Sequence, residues 1–383
     1  MARDYGARCA RVHGVLAVQV VAVVVGIAMV LGTLSSALKT VVVPRAYPAR
    51  LTRAHFLAWR RVFDGIARPN RSFIVRDRVM APYAPLALVT LPAVWGAVIV
   101  FGFTFFDWGT GVHPFGQAFV TSGSSLLTLG FVRPPGTARV ALAFLEAGIG
   151  LGVVTLMISY LPTIYSAFSR REALVGMLEV RAGLPPSPSE LLVRYRRIGW
   201  LHRLDDDLFS RWEQWFVDVE ESHTSQPSLV FFRSPHPERS WITAAGCVLD
   251  TAAITASAID CERDGQAAVL LRSGYLCLRR VADFFQIPYD PSPRPDDPIS
   301  VTRDEFDALL DQLAAEDIPL VADRDQAWRD FAGWRVNYDE VLLQLCALVM
   351  APPAQWSSDR MPSRRFRPKV LRVPRPGIKP SSA

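Results

Sequence analysis

The chain has 383 residues, half of them hydrophobic, with 42 Lys/Arg against 36 Asp/Glu and a formal charge of +6. The mean hydropathy of +0.19 conceals three long uncharged runs, and the basic residues sit beside those runs or in a tail, which argues against nucleic acid as the partner. Cys9, Cys247, Cys261, Cys277 and Cys346 show no CxxC or zinc spacing, and the six histidines form no HExxH or triad; the reading is of buried free thiols, with no metal, no cofactor and no enzyme.

From the N-terminus, the first element is the apolar run Val15 to Leu38, which follows Arg3, Arg8 and Arg11. It is longer than the core of a signal peptide, and about 20 apolar residues suffice to cross roughly 30 Å of hydrocarbon. Residues 1–38 are therefore expected to be an N-terminal transmembrane helix. Residues 39–78 carry ten Lys/Arg against Asp64 and Asp77 and are expected to be a basic cytoplasmic loop, because Lys/Arg collect on the cytoplasmic side. That places the N-terminus outside a multi-pass protein of the cell membrane. Anionic lipid headgroups are the nearest counter-charge for this loop and for the basic tail, with plain solvation as the alternative.

The second apolar run, 79–106, then leads outward, with kinks expected at Pro82, Pro85 and Pro92. The third, 138–168, returns inward and stops at Ser169-Arg170-Arg171, leaving everything from 170 onward in the cytoplasm. The connection 107–137 is too long for a plain loop. Pro114 suits the first position of a helix, and Phe115, Ala118, Phe119, Ser122 and Leu126 recur at helical spacing. A helix over 114–126 would be about 20 Å long at 1.5 Å per residue, too short to span. It can dip into the bilayer and return only where protein shields its backbone.

The stretch SGSSLLTLGF, 122–131, closes that helix with Thr128-Leu129-Gly130-Phe131. Here residues 80–168 resemble the potassium channel family: span, short pore helix, Thr-x-Gly-aromatic filter, Pro-bearing exit (Arg133-Pro134-Pro135) and second span occur in that family's order. The resemblance implies a filter of backbone carbonyls replacing an ion's water shell, formed by Thr128, Leu129, Gly130, Phe131 and Val132. Ser124 and Ser125 would support it from the pore helix, and Phe131 would brace it. Four copies are needed to encircle an ion, which implies a homotetramer. Two departures stand out. Val132 occupies the place of the family's second glycine, where a β-branched residue at positive φ would be strained, and Arg133 replaces an acid at the mouth.

In the third run, Gly148 and Gly152 form a GxxxG pattern suited to close helix packing, while Gly148 or Gly150 is the candidate for a gating hinge. Glu146, the one acid within a span, is expected to support the pore helix, attract cations or reach the interface. Residues 169–356 form an acidic domain, with 19 Lys/Arg against 30 Asp/Glu from 170 to 356. Helices are expected at 189–198, 200–222, 238–262, 265–285 and 323–350, with a capping box of Thr302 and Glu305. Asp205-Asp206-Asp207 and Asp296-Asp297 read as a solvated acidic face. No Walker A or dinucleotide loop is present.

The expected fold is thus an all-α membrane protein: the N-terminal helix 1–38, the basic loop 39–78, a pore module 79–168, a helical cytoplasmic domain 169–356 and a basic disordered tail 357–383. The expected function is a tetrameric channel for monovalent cations, potassium first among them. The alternative is a membrane-anchored scaffold or sensor whose pore-like loop does not conduct.

Overall fold

The structure is a computed structural model that describes residues 2–43, 49–68, 70–261 and 265–362, with side chains from residue 13 onward. Cys9, the arginines at 3, 8, 11 and 45, and all the tail beyond 362 lie outside the described side chains. The regular elements are helical, apart from one isolated antiparallel bridge between Ile259 and Leu320. The chain divides into two compact units, residues 1–61 with 85–163, and residues 62–84 with 164–383.

In chain order the helices are α1 Ala2–Val41, α2 Arg50–Ile66, α3 Phe73–Met80, α4 Tyr83–Gly109, α5 Phe115–Leu126, α6 Thr137–Ala182 and α7 Pro188–Arg197. There follow α8 Ser210–Ser225, α9 Trp241–Ala258, α10 Gln266–Phe285, α11 Arg303–Ala315, α12 Arg324–Arg335 and α13 Asp339–Val349. Among the described residues four helical stretches are long and apolar enough to cross a membrane: His13–Val41, Phe73–Gly109, Thr137–Ala182 and Trp241–Ala258. The fourth was not expected from the sequence as a span. Every residue of α9 except Ala256 is buried, so its apolar character is that of a core helix enclosed by other helices.

In the first unit α1 lies against α4 at close range. A Cβ on Gly26 would run into the Gly102 carbonyl, and one on Gly109 into the Gln19 carbonyl, so small residues are what let these backbones approach. The stretch 39–78, read from the sequence as a loop, contains two helices instead. Thr52, His55, Phe56, Trp59 and Phe63 fall at helical spacing, a signal masked in the sequence by the density of arginines. The face carrying them docks: His55 Nε2 is 2.8 Å from the Ala87 carbonyl, and Trp59 Nε1 donates to Thr90 Oγ1 at 3.0 Å. α4 continues through Pro92. The 137–163 part of α6 buries one stripe, Glu146, Val153, Met157 and Tyr160, and leaves Phe144, Leu151, Val154 and Ile158 exposed.

The second unit is a helical domain around α9, with α8, α10 and α13 sharing its core. Three helices differ from expectation. The expected 200–222 helix opens with a 3-10 turn, 201–203, and a six-residue π-helical stretch, Leu204–Phe209, before α8. The wider turn buries Leu204, Leu208 and Phe209 while Asp207 accepts from Tyr195 Oη at 3.0 Å; this acid is therefore an internal partner rather than part of a solvated face. The expected 238–262 helix stops at Ala258, where extended backbone bonds across to 319–321 take over (Asp260 N to Pro319 O, 2.9 Å; Val321 N to Ala258 O, 2.9 Å). The expected 323–350 helix is two, broken where Asn337 Nδ2 turns back onto the Gly333 carbonyl at 2.9 Å. α11 does start at the Thr302–Glu305 capping box.

The 164–182 end of α6 belongs to this domain. Arg171, 2 % exposed, donates to the carbonyls of Leu229 (2.8 Å) and Phe232 (2.7 Å), and its own carbonyl accepts from Trp215 Nε1 at 3.1 Å. The segment before α4 grips the same turn. Arg233 pairs with Asp77 of α3 at 3.0 Å and donates to the Met350 carbonyl at 2.8 Å, and Tyr83 packs edge-on against Phe231. Both chain segments that enter this unit are thus fastened to residues 229–233.

Buried beside Arg171, His223 takes an N–H of that arginine at Nε2 (3.0 Å), with Ser222 Oγ 3.0 Å from Nδ1. Burial, and then the neighbouring guanidinium, hold its pKa well below the usual histidine range, so the folded ring is neutral. The unfolded ring titrates near about 6.5. The unfolded chain therefore binds a proton first: stability is full above about pH 6.5 and falls as pH drops below it, by at most about 1.4 kcal/mol per pH unit. A His223→Gln chain keeps an acceptor for Arg171 and is expected to lose that part of the slope between pH 6.5 and 5, as read by denaturant melts; an unchanged slope refutes the assignment.

Candidate functional site

The residues singled out between 107 and 146 come together in the first unit. α5 is short, and its buried positions are small: Ala118, Thr121, Ser122, Ser124, Ser125 and Leu126. Small side chains bring it close to its neighbours, and their hydroxyls are satisfied internally. Thr121 Oγ1 donates to the Gln117 carbonyl (2.8 Å) and Ser125 Oγ to the Thr121 carbonyl (3.0 Å). Ser122 Oγ is 3.1 Å from the Val100 carbonyl of α4 and hydrogen-bonds the Glu146 carboxylate of α6. One hydroxyl therefore bridges all three helices. Glu146, 2 % exposed, stands against α5 rather than in solvent. Pro114 is the residue before the helix, in extended conformation, rather than its first residue.

The turn after α5 folds back on Ser124. Its carbonyl accepts the amides of Leu129 (2.9 Å) and Gly130 (3.3 Å), its hydroxyl accepts the Val132 amide (3.2 Å), and the Thr128 amide goes to the Ser125 carbonyl (3.0 Å). Ser124 is 1 % exposed, so the anchor is fixed while the turn it holds is not covered. Leu127, Leu129 and Phe131 are 61 %, 59 % and 65 % exposed. Within one chain Phe131 does not brace the turn against α5. Gly130 has φ +70°, a conformation that glycine adopts without steric cost. The strain expected at Val132 lies elsewhere: Val132 is not among the residues of positive φ, whereas Thr128, also β-branched, has φ +56°.

Beside the turn lies a polar cavity of about 260 Å³, lined by Asp107, Gln117, Arg133, Arg139 and Glu146 among others. Arg139 donates to the Thr110 carbonyl at 3.2 Å. The grouping of Asp107, Arg139 and Ser122 around Glu146 was missed in the sequence, where the four are spread over 107–146 in three helical segments; the signal that was available is that each is a polar residue in or at the end of an apolar run. Gly150 meets α5 directly, since a Cβ there would fall on the Leu126 carbonyl, whereas Gly148 and Gly152 have open space within the chain. α6 runs unbroken through all three.

As chemistry, this is a turn of oriented peptide groups at the C-terminal end of a short helix, where the helix dipole favours a cation. Comparison of the chain with family models, with curated proteins and with solved structures finds no match in any of the three.

Proposed function

We propose that the protein is a homotetrameric channel for monovalent cations, potassium first among them, with residues 128–132 as its filter and α5 as the pore helix between an outer helix, α4, and an inner helix, α6. The observation that carries this reading is the Ser124-anchored turn. It follows a twelve-residue helix strung between two long apolar helices, and it holds its own amides inward while leaving Leu127, Leu129 and Phe131 uncovered. An uncovered apolar surface of this kind marks an interface, and one turn cannot enclose an ion; further copies meet both needs. The ten Lys/Arg of 39–78 support a cytoplasmic helical domain and an external turn, since Lys/Arg collect on the cytoplasmic side.

Purified full-length protein in planar bilayers tests it. A potassium-over-sodium reversal potential is expected, and Gly130→Ala, which forces a Cβ into the left-handed region at a cost of about 1–2 kcal/mol, is expected to abolish the current in a protein that still assembles. Current unaffected by that substitution refutes the filter assignment, and a strict monomer refutes the channel. Exposed Arg133 next to the turn favours the second reading, a membrane-anchored scaffold, because a ring of positive charge opposes cation access; silence of the tetramer in both salts would establish it.

A further inference from the structure

The short helix α3 has two unlike faces. Asp77 and Met80 are buried, with Asp77 held by Arg233 at 3.0 Å. On the other side of α3 lie Ile74, Val75 and Arg78, within one helical face, and Arg71 stands two residues before the helix begins. All four are exposed, Ile74 by 52 % and Val75 by 40 %, and Arg68 just upstream is exposed too. The domain's arginines mostly sit in ion pairs: Arg181 with Asp207, Arg239 with Glu179, Arg303 with Asp307. Acids are plentiful there, 30 Asp/Glu against 19 Lys/Arg over 170–356. Yet Arg68, Arg71 and Arg78 make no ion pair with any described residue.

We propose that this face of α3, with Arg68 and Arg71 just upstream, is a binding surface for the headgroups of anionic phospholipid. Three features select that partner. Only two residues separate α3 from α4, and the two together make the apolar stretch Phe73–Gly109, long enough to span, so α3 stands at one end of a candidate span. Two adjacent branched apolar side chains flanked by arginines suit the boundary between acyl chains and phosphates, the apolar pair reaching inward while the guanidiniums turn back to the headgroups. A guanidinium matches a phosphate through paired N–H donors. The rear of the helix, through Asp77 and Arg233, leads to the turn that Arg171 also grips. A headgroup bound here therefore bears on the same residues that fasten α6.

The proposal does not rest on ion conduction, and its test does not read current. The full-length protein is reconstituted in nanodiscs holding equal phosphatidylglycerol and phosphatidylcholine, released, and examined by native mass spectrometry for the lipids it retains. Wild type is expected to retain phosphatidylglycerol over phosphatidylcholine by about tenfold at low salt, each basic residue near the surface contributing roughly fivefold before screening. The preference is expected to shrink as salt is raised. Combined Arg68→Gln, Arg71→Gln and Arg78→Gln should bring it near parity, and the three Lys replacements should keep most of it, since charge survives. A preference that the Gln combination leaves intact, or one independent of salt, overturns the proposal. So does displacement of the lipid by millimolar glycerol phosphate, which would make this a soluble-anion site.

Discussion

Replacing Arg335 by Ala is expected to destabilise the helical domain by about 3–5 kcal/mol. Arg335 is wholly buried at the end of α12. It pairs with Asp250 of α9 and with Asp339 of α13 (2.7 Å), and it donates to the Trp356 carbonyl. Each partner is committed elsewhere as well: Asp250 accepts from Tyr338 Oη at 2.8 Å, and Asp339 receives the Ser300 amide (2.8 Å) and hydroxyl (2.6 Å). Removing the guanidinium leaves two carboxylates facing each other without a counter-charge, in a place where Asp250 Oδ2 already lacks a partner. Uncompensated buried charge is what makes breaking such a pair costly, far more than the pair itself contributes when intact. In a helical unit of this size the loss corresponds to a fall of about 10–15 °C in melting temperature, read by tryptophan fluorescence of the full-length protein in detergent. Combining Arg335→Met with Asp250→Asn removes charge from both sides and is expected to recover part of the loss. If the single and double variants melt together, the cost lies in packing rather than in charge.

That hub also marks what the sequence could and could not disclose. Asp250 lies in the middle of an apolar helix, 85 positions from Arg335. Nothing local couples them, because the pairing is fixed by which helices cross. Features that depend on neighbouring residues were legible. The long apolar helices are evident because span length is a count, and the start of α11 because a capping box is a four-residue pattern. Helix ends that answer to tertiary contacts were not: α9 stops where 319–321 offers the next residues an antiparallel bridge, and α12 and α13 separate where Asn337 folds back. α2 and α3 were hidden by charge. Their docking residues follow the helical period, but arginines dominate the composition of 39–78, and a dense run of charge reads as loop. In the candidate site, the turn could be named from Thr128 to Val132 by its pattern. Ser122 as the bridge among three helices, and the absence of positive φ at Val132, depend on how α4, α5 and α6 meet.

The three glycines of α6 separate the two roles that a glycine in a spanning helix can have. Gly150→Ala is expected to disturb the turn at 128–132, whereas Gly148→Ala and Gly152→Ala are not. At 150 the added methyl falls on the carbonyl of Leu126, a backbone atom that no rotamer change can move aside. Leu126 is the last residue of α5, two positions from Thr128, so α5 or the turn must shift; overpacking of this kind costs about 1–3 kcal/mol. At 148 and 152 the methyl meets nothing in the same chain, and alanine favours the helix by about 1 kcal/mol over glycine. Hydrogen exchange at the amides of Leu129, Gly130 and Val132 reads the difference, since those amides are held by Ser124. Faster exchange is expected in Gly150→Ala alone. If α6 instead bends at these glycines, stiffening any of the three would alter the gating of the proposed channel while leaving exchange in the turn untouched, and Gly150 would not stand apart. If Gly148→Ala or Gly152→Ala dissociates the assembly with the turn unchanged, the open face at those positions is where another copy packs.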